Sequence, residues 1–230
     1  IYTLSLHDAL PIFGAEGVVH RVHGGAVANQ TFQTTEYSVD ARLRSASGAK
    51  NSIAHAALQF LPEAPGGGIF LDAGTTTAAF AELITMQPAA KQWSIVTNSL
   101  SIALTLANSG LDEIQLLGGS VRGITQAVVG NAALRTLALM RAEVAFIGTN
   151  ALTVDHGLST ADSQEAAIKS AMITNARKVV VLCDSTKMGT DYLVSFGSVD
   201  DIDVIITDAN APESFVKALR DRNVEVIIAS

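Results

Sequence analysis

The chain has 230 residues, 48% hydrophobic and 16% charged, with a mean hydropathy of +0.33: enough for one full core, with or without an appendage, and too apolar for disorder. Its formal net charge of -7 sets the chain as a whole against nucleic acid, because no basic patch is segregated along it. No apolar run approaches the ~20 residues of a membrane span, and a single cysteine, Cys183, excludes an internal disulfide framework and fits a reducing cytoplasm.

Residues 1–13 have no connection with the pattern that follows. Tyr2-Thr3-Leu4-Ser5-Leu6-His7-Asp8-Ala9-Leu10-Pro11-Ile12 looks like translated sequencing-adapter sequence, an artefact to be excluded from the fold. It has neither the basic start nor the small-residue cleavage site of a signal peptide. Residues 14–61 read as a linker arm and a first helix. Gly17 to Ala26 alternates briefly and breaks at Gly24-Gly25, a short extended arm. Residues 38–60 read as one long helix stopped near Pro62, with Arg42, Arg44 and Lys50 beside Glu36 and Asp40 on a solvated face. The turn-rich stretch through Pro65-Gly66-Gly67-Gly68 leads into the main domain, 62–230.

From Ile69 onward short apolar runs alternate with amphipathic stretches. Strands are predicted at 69–72, 94–98, 113–117, 144–148, 179–184, 204–208 and 224–228. Helices are predicted at 76–86, 99–109, 131–140, 162–176 and 212–220, with Asp162 as a cap and Pro212 in a tolerated first-turn position. The alternation implies a Rossmann-like three-layer α/β sandwich, its sheet mostly parallel and covered on both faces. Residues 118–130 read as a small hairpin excursion. Cys183, inside a core strand, reads as a small buried residue rather than a nucleophile.

The stretch Ile69-Phe70-Leu71-Asp72-Ala73-Gly74-Thr75-Thr76-Thr77 runs from a buried strand through a glycine into a helix. Unpaired N–H groups and the positive end of the helix dipole converge there, with threonine hydroxyls beside them, which suits a phosphate. The other strand ends carry Asn98, Gly118-Gly119, Gly148-Thr149-Asn150 and Asp184-Ser185-Thr186-Lys187, where ligands gather in a doubly wound sheet. Glu165 and Lys169 stand four residues apart on one helix, either as an exposed ion pair or as ligand contacts. No G-x-G-x-x-G follows the first strand, no Walker-type lysine follows Gly74, and no His or Cys pair has ligand spacing, so neither a cofactor nor a metal is expected.

In order along the chain, Arg21-Val22-His23-Gly24-Gly25-Ala26, Asp72 to Thr77, Thr97-Asn98-Ser99, Gly118-Gly119, Phe146-Ile147-Gly148-Thr149, Gly157-Leu158-Ser159-Thr160, Glu165 to Met172 and Asp184 to Lys187 resemble the effector-sensing domain of the DeoR family of bacterial transcriptional regulators. The resemblance implies a fold related to ribose-5-phosphate isomerase, glucosamine-6-phosphate deaminase and CoA transferases. It also implies a phosphorylated sugar as effector. The turn through Asp72, Gly74, Thr75, Thr76 and Thr77 would hold the phosphate, and Asn98, Glu165, Lys169, Asp184 and Lys187 would line the remainder. Gly118 and Gly148 join the candidate set as strand ends that admit a close ligand. Family members carry an N-terminal winged helix-turn-helix ahead of the Arg-Val-His-Gly-Gly-Ala arm. Adapter-like sequence stands there in this chain, which is therefore expected to lack the DNA-reading module.

The expected function is thus the sensor of a cytoplasmic regulator, a repressor of a sugar-catabolic operon. It would have no enzymatic activity, would self-associate as a dimer or tetramer, and would reach operator DNA only through the missing module. The alternative is a sugar-phosphate isomerase or deaminase of the same fold. That chemistry needs a carboxylate base; the loop after residue 148 offers none before Asp155, although Glu165 could serve.

Overall fold

The computed structural model describes residues 19–22, 25–28, 31–33 and 35–230, so the adapter-like stretch lies outside the described residues. The chain divides into two units, Ile1–Phe32 and Gln33–Ser230. In the first, strands Val19–Val22 and Gly25–Ala28 pair antiparallel with Val22 opposite Gly25.

The second unit is built on seven strands, all parallel: β1 (Gly68–Leu71), β2 (Ser94–Thr97), β3 (Ile114–Leu116), β6 (Ala142–Gly148), β9 (Ala176–Leu182), β11 (Val204–Asp208) and β12 (Glu225–Ala229). They lie in the order β12-β11-β9-β6-β1-β2-β3. Alternate residues of each central strand enter opposite cores. Ile69, Leu71, Val144, Phe146, Val180 and Leu182 face one cluster; Phe70, Ala145, Ile147, Val179 and Val181 face the other. A strand that must bury both faces reads as a continuous apolar run, which is why these strands were legible.

Among the described residues seven α-helices accompany the sheet: α1 (Val39–Arg44), α2 (Ser47–Ala57), α3 (Thr75–Thr85), α4 (Leu100–Asn108), α5 (Asn131–Ala138), α6 (Ser163–Thr174) and α7 (Glu213–Arg220). Ile53 of α2, Phe80 of α3 and Ile102 of α4 fill the first core. Ala133 of α5, Ile168 and Met172 of α6 and Val216 of α7 fill the second. The expected hairpin is present as β4 (Ser120–Arg122) and β5 (Ala127–Val129). A small antiparallel sheet of β7 (Ala151–Thr153), β8 (Gly157–Thr160) and β10 (Val194–Gly197) was not anticipated. Cys183 directly follows β9 and is 1% exposed; burial pushes its thiol pKa well up, which makes it a poor nucleophile.

The expected single helix over 38–60 is broken. Helix α1 ends at Arg44, Ser45 is extended, and Ala46 takes a left-handed φ of 50° before α2 begins. At the break the Ser45 N–H closes α1 on the Arg42 carbonyl at 3.3 Å. Lys50 Nζ donates to that same oxygen and to the Ser45 carbonyl. Lys50 is therefore buried rather than on a solvated face, which corrects the reading of this charge cluster.

Candidate functional site

Strands β1 and β6 are neighbours, but the chain leaves β1 toward β2 and β3 and later returns to β6 to build outward the other way. Crossovers on the two sides of such a reversal diverge and leave a crevice at the carboxyl ends of the strands, the usual ligand position in doubly wound sheets. Asp72 and Gly148 meet there. The Gly148 N–H donates to Asp72 Oδ2 over 3.1 Å. Lys169 of α6 reaches in from behind, donating to the same Oδ2 and to the Gly148 carbonyl at 2.9 Å. Both charges are almost wholly buried. Burial pushes the Asp72 carboxyl above its usual range, while Lys169 and the Gly148 N–H pull it partly back.

Above this pair opens a cavity of about 440 Å³, lined by Gly74, Thr75, Thr76, Gly148, Lys169, Asp184 and Lys187 among the expected residues. Gly74 is the N-cap of α3 and supplies no side-chain cap, and Gly74, Thr75 and Thr76 at that helix start all line the cavity. Cβ atoms do not fit easily at Gly74: one would sit 3.0 Å from Thr77 Oγ1. Asp184 ends β9's extension and accepts from the Thr186 N–H at 3.1 Å and from its hydroxyl. The turn that carries Lys187 is fastened by Asp208, which accepts from the Ser185 N–H at 2.6 Å and from its hydroxyl at 2.9 Å. Burial alone would raise the Asp208 pKa; these bonds hold it below its usual value.

Five expected ligand residues do not line the cavity. Asp72 lies beneath it, holding Lys169. Thr77 turns inward, its hydroxyl donating to the carbonyls of Asp72 at 2.7 Å and Gly74 at 3.0 Å. Asn98 braces the turn, accepting from the Ala73 N–H at 2.9 Å and donating to the Val128 carbonyl at 3.3 Å. These three shape the turn and are not among the residues that line the cavity. Gly118 is exposed after β3, the outer strand of the sheet and two strands from β1. Glu165 is buried in another cluster, accepting from Arg122 Nη1 at 2.5 Å and from the Thr125 hydroxyl. It pairs neither with Lys169 nor with solvent.

A profile of the DeoR C terminal sensor domain matches residues 45–209. The chain belongs to that family. The HTH-type transcriptional regulator GlpR of Haloferax volcanii is 34% identical over 213 residues, 92% of this chain and 80% of that protein. The glycerol-3-phosphate regulon repressor of Escherichia coli K12 is 29% identical, over 92% and 81% of the two chains. The putative aga operon transcriptional repressor of Escherichia coli O157:H7 is 29% identical, over 99% and 83%. Among solved structures, ribose 5-phosphate isomerase A from Methanocaldococcus jannaschii is 18% identical over 63% of this chain and 55% of its own, with a TM-score of 0.46, a likeness too distant to carry an argument about activity.

In this DeoR sensor domain the lining residues that sequence reasoning missed include Tyr37, Arg42, Lys50 and Tyr192. A signal for Lys50 existed. It shares the helical stripe of Ile53, Ala54 and Ala57, the buried residues of α2, so it points inward with them. Nothing local marks Tyr37 or Tyr192. Among the described residues no helix is long and apolar enough to cross a membrane.

Proposed function

We propose that this domain senses a phosphorylated sugar or polyol, and that binding biases a cytoplasmic transcriptional regulator of a sugar-catabolic operon, most simply a repressor. One observation carries the reading. The cavity sits at the sheet's point of reversal, against the uncapped start of α3, with the ammonium groups of Lys169 and Lys187 on its walls. Backbone N–H groups and a helix dipole favour a dianion, and a lysine adds a point charge. The polar remainder, with Thr76, Thr149, Asn150 and Asp184, suits hydroxyls. The names of the relatives favour the same class, since one is a repressor of a glycerol-3-phosphate regulon. Operator DNA would be reached through an N-terminal module, and the working assembly would be a dimer or tetramer, measurable by light scattering.

The isomerase or deaminase alternative gains no support from the site. Of the carboxylates among the described residues, Asp184 alone lines the cavity, and it is engaged by Thr186. Glu165, the base considered from sequence, is held by Arg122 and Thr125.

Thermal shift and titration calorimetry with glycerol 3-phosphate, fructose 6-phosphate, ribose 5-phosphate and their unphosphorylated parents test the proposal. A ligand at 100 times its dissociation constant adds about 2.7 kcal/mol of stability. Lys187→Ala is expected to weaken the phosphorylated ligands selectively. Flat melting curves across the panel, or equal losses for phosphorylated and free sugars, would sink it.

A further inference from the structure

One wall of the cavity comes from outside the stretch that the family profile covers. Tyr37, Ala41 and Arg42 line it, whereas the profile begins at residue 45. They stand on α1 or just before it. Arg42 Nε is buried and has no hydrogen-bond partner among the described residues. A guanidinium presents five donors in a planar fork suited to phosphate or carboxylate, and leaving one buried and unmatched is costly. Arg42, Lys187 and Asp184 each lie close enough to Lys50 for their charges to act on its ammonium. Four cationic side chains, Arg42, Lys50, Lys169 and Lys187, thus face only Asp184 within the cavity lining and Asp72 beneath it. The surplus positive charge corresponds to one phosphomonoester dianion.

Polar contacts fasten the segment bearing Arg42. Glu36 receives both terminal nitrogens of Arg122, at 3.0 and 2.9 Å. Tyr192 donates its hydroxyl to the Thr35 carbonyl at 3.0 Å, and the Val39 N–H donates to the Ile124 carbonyl at 3.1 Å. Lys50 holds the far end through the carbonyls of Arg42 and Ser45. Tyr37 is 57% exposed, and the helix has only 6 residues. So short a helix is marginal by itself and opens locally at low cost, so one added contact changes its population strongly.

We propose that Arg42 is an anion-binding residue that grips the ligand from α1 while the Thr75–Thr76 turn holds it from the sheet. Occupancy of the cavity then fastens the very segment that leads, in sequence, to the N-terminal unit. This rests on the cavity being a phosphate-ligand site, and it adds to that reading the element through which occupancy is transmitted. A ligand shifts such an equilibrium only through a contact present in one state and absent from the other, and the Arg42 contact is of that kind.

Hydrogen–deuterium exchange on the full 230-residue chain, with and without glycerol 3-phosphate, fructose 6-phosphate or inorganic phosphate, reads this directly. Ligand is expected to slow exchange in peptides covering 36–46 as well as 73–77. Arg42→Gln is expected to lose about tenfold or more in affinity and to keep protection at 73–77 while losing it at 36–46. Arg42→Lys, a point charge without the fork, should fall between the two. Protection at 73–77 with none at 36–46 in the unsubstituted chain would overturn the proposal and leave the sensor reading intact. So would an Arg42→Gln affinity within twofold of the original. No binding and no protection with any of the three probes would sink the sensor reading and this inference together.

Discussion

Glu165 and Lys169 lie one turn apart on α6, yet they end in charge clusters of opposite character. Glu165 joins Glu36 and Asp162 around the single guanidinium of Arg122, at 2.5, 2.9 and 3.3 Å. That cluster has more carboxylate than cation, and its members satisfy one another. Lys169, itself answered by Asp72 beneath, stands in a cavity lining whose other cations, Arg42, Lys50 and Lys187, outnumber its one carboxylate, Asp184. The first cluster ties the hairpin, α6 and the segment before α1 together; the second leaves positive charge facing a space large enough for a small metabolite. The two differ in whether their charges are answered from within the protein. An internally answered cluster is expected to govern stability, and an unanswered one to govern binding.

The strongest way to break this contrast is Lys169→Met, because the Lys169–Asp72 pair is the more deeply buried. Removing the cation leaves a buried carboxylate uncompensated, and a loss of about 4 kcal/mol at pH 7 is expected in urea unfolding. The loss should shrink on acidification. Burial already raises the Asp72 pKa in the fold, and a carboxyl with a raised folded pKa binds its proton more tightly when folded. Its contribution is therefore greatest below the unfolded value of about 4 and is lost as pH rises through the folded one. A stability difference from the unsubstituted chain that did not narrow between pH 7 and pH 4.5 would contradict this account.

Arg122→Leu comes next. It leaves Glu165 buried with only the Thr125 hydroxyl and is expected to cost about 2 kcal/mol, with phosphosugar affinity at 73–77 changed far less than stability. Affinity falling more than the stability loss explains would show that the two clusters act as one. Thr76→Val should have a smaller effect. It removes a cavity hydroxyl with little change of shape, for a loss of about fivefold in phosphate-ligand affinity and a Tm within experimental error; unchanged affinity would count against the turn as the anion site.

The smallest effect is on pH dependence. Affinity should rise between pH 5 and 7 as the ligand phosphate loses its second proton at about pH 6. It should fall again on the alkaline side sooner than an ordinary lysine would dictate, because burial lowers the Lys50 pKa and its ammonium is lost earlier. Lys50→Met should flatten that alkaline limb. An alkaline limb of unaltered shape would remove Lys50 from the binding charge.

The sequence determined the sheet and its helices because both cores draw on local pattern. Ile69, Phe70 and Leu71 are all buried, though on two faces, and such runs announce themselves. It also pointed to the strand ends after Leu71, Ile147 and Leu182, which do converge on one cavity. What it did not determine is which polar groups at those ends turn outward. Thr76 lines the cavity while its neighbour Thr77 is spent on the carbonyls of Asp72 and Gly74, a distinction set by 100° of helix rotation per residue against a particular sheet. Arg42 and Lys50 became part of the site only because the helix breaks at Ser45-Ala46 and folds α1 back over the strand ends. At that break a buried ammonium meets two carbonyls, and Glu165 found Arg122 from 43 residues away. Hydrophobic periodicity is written along the chain; the pairing of charges is settled across it, where no local window reaches.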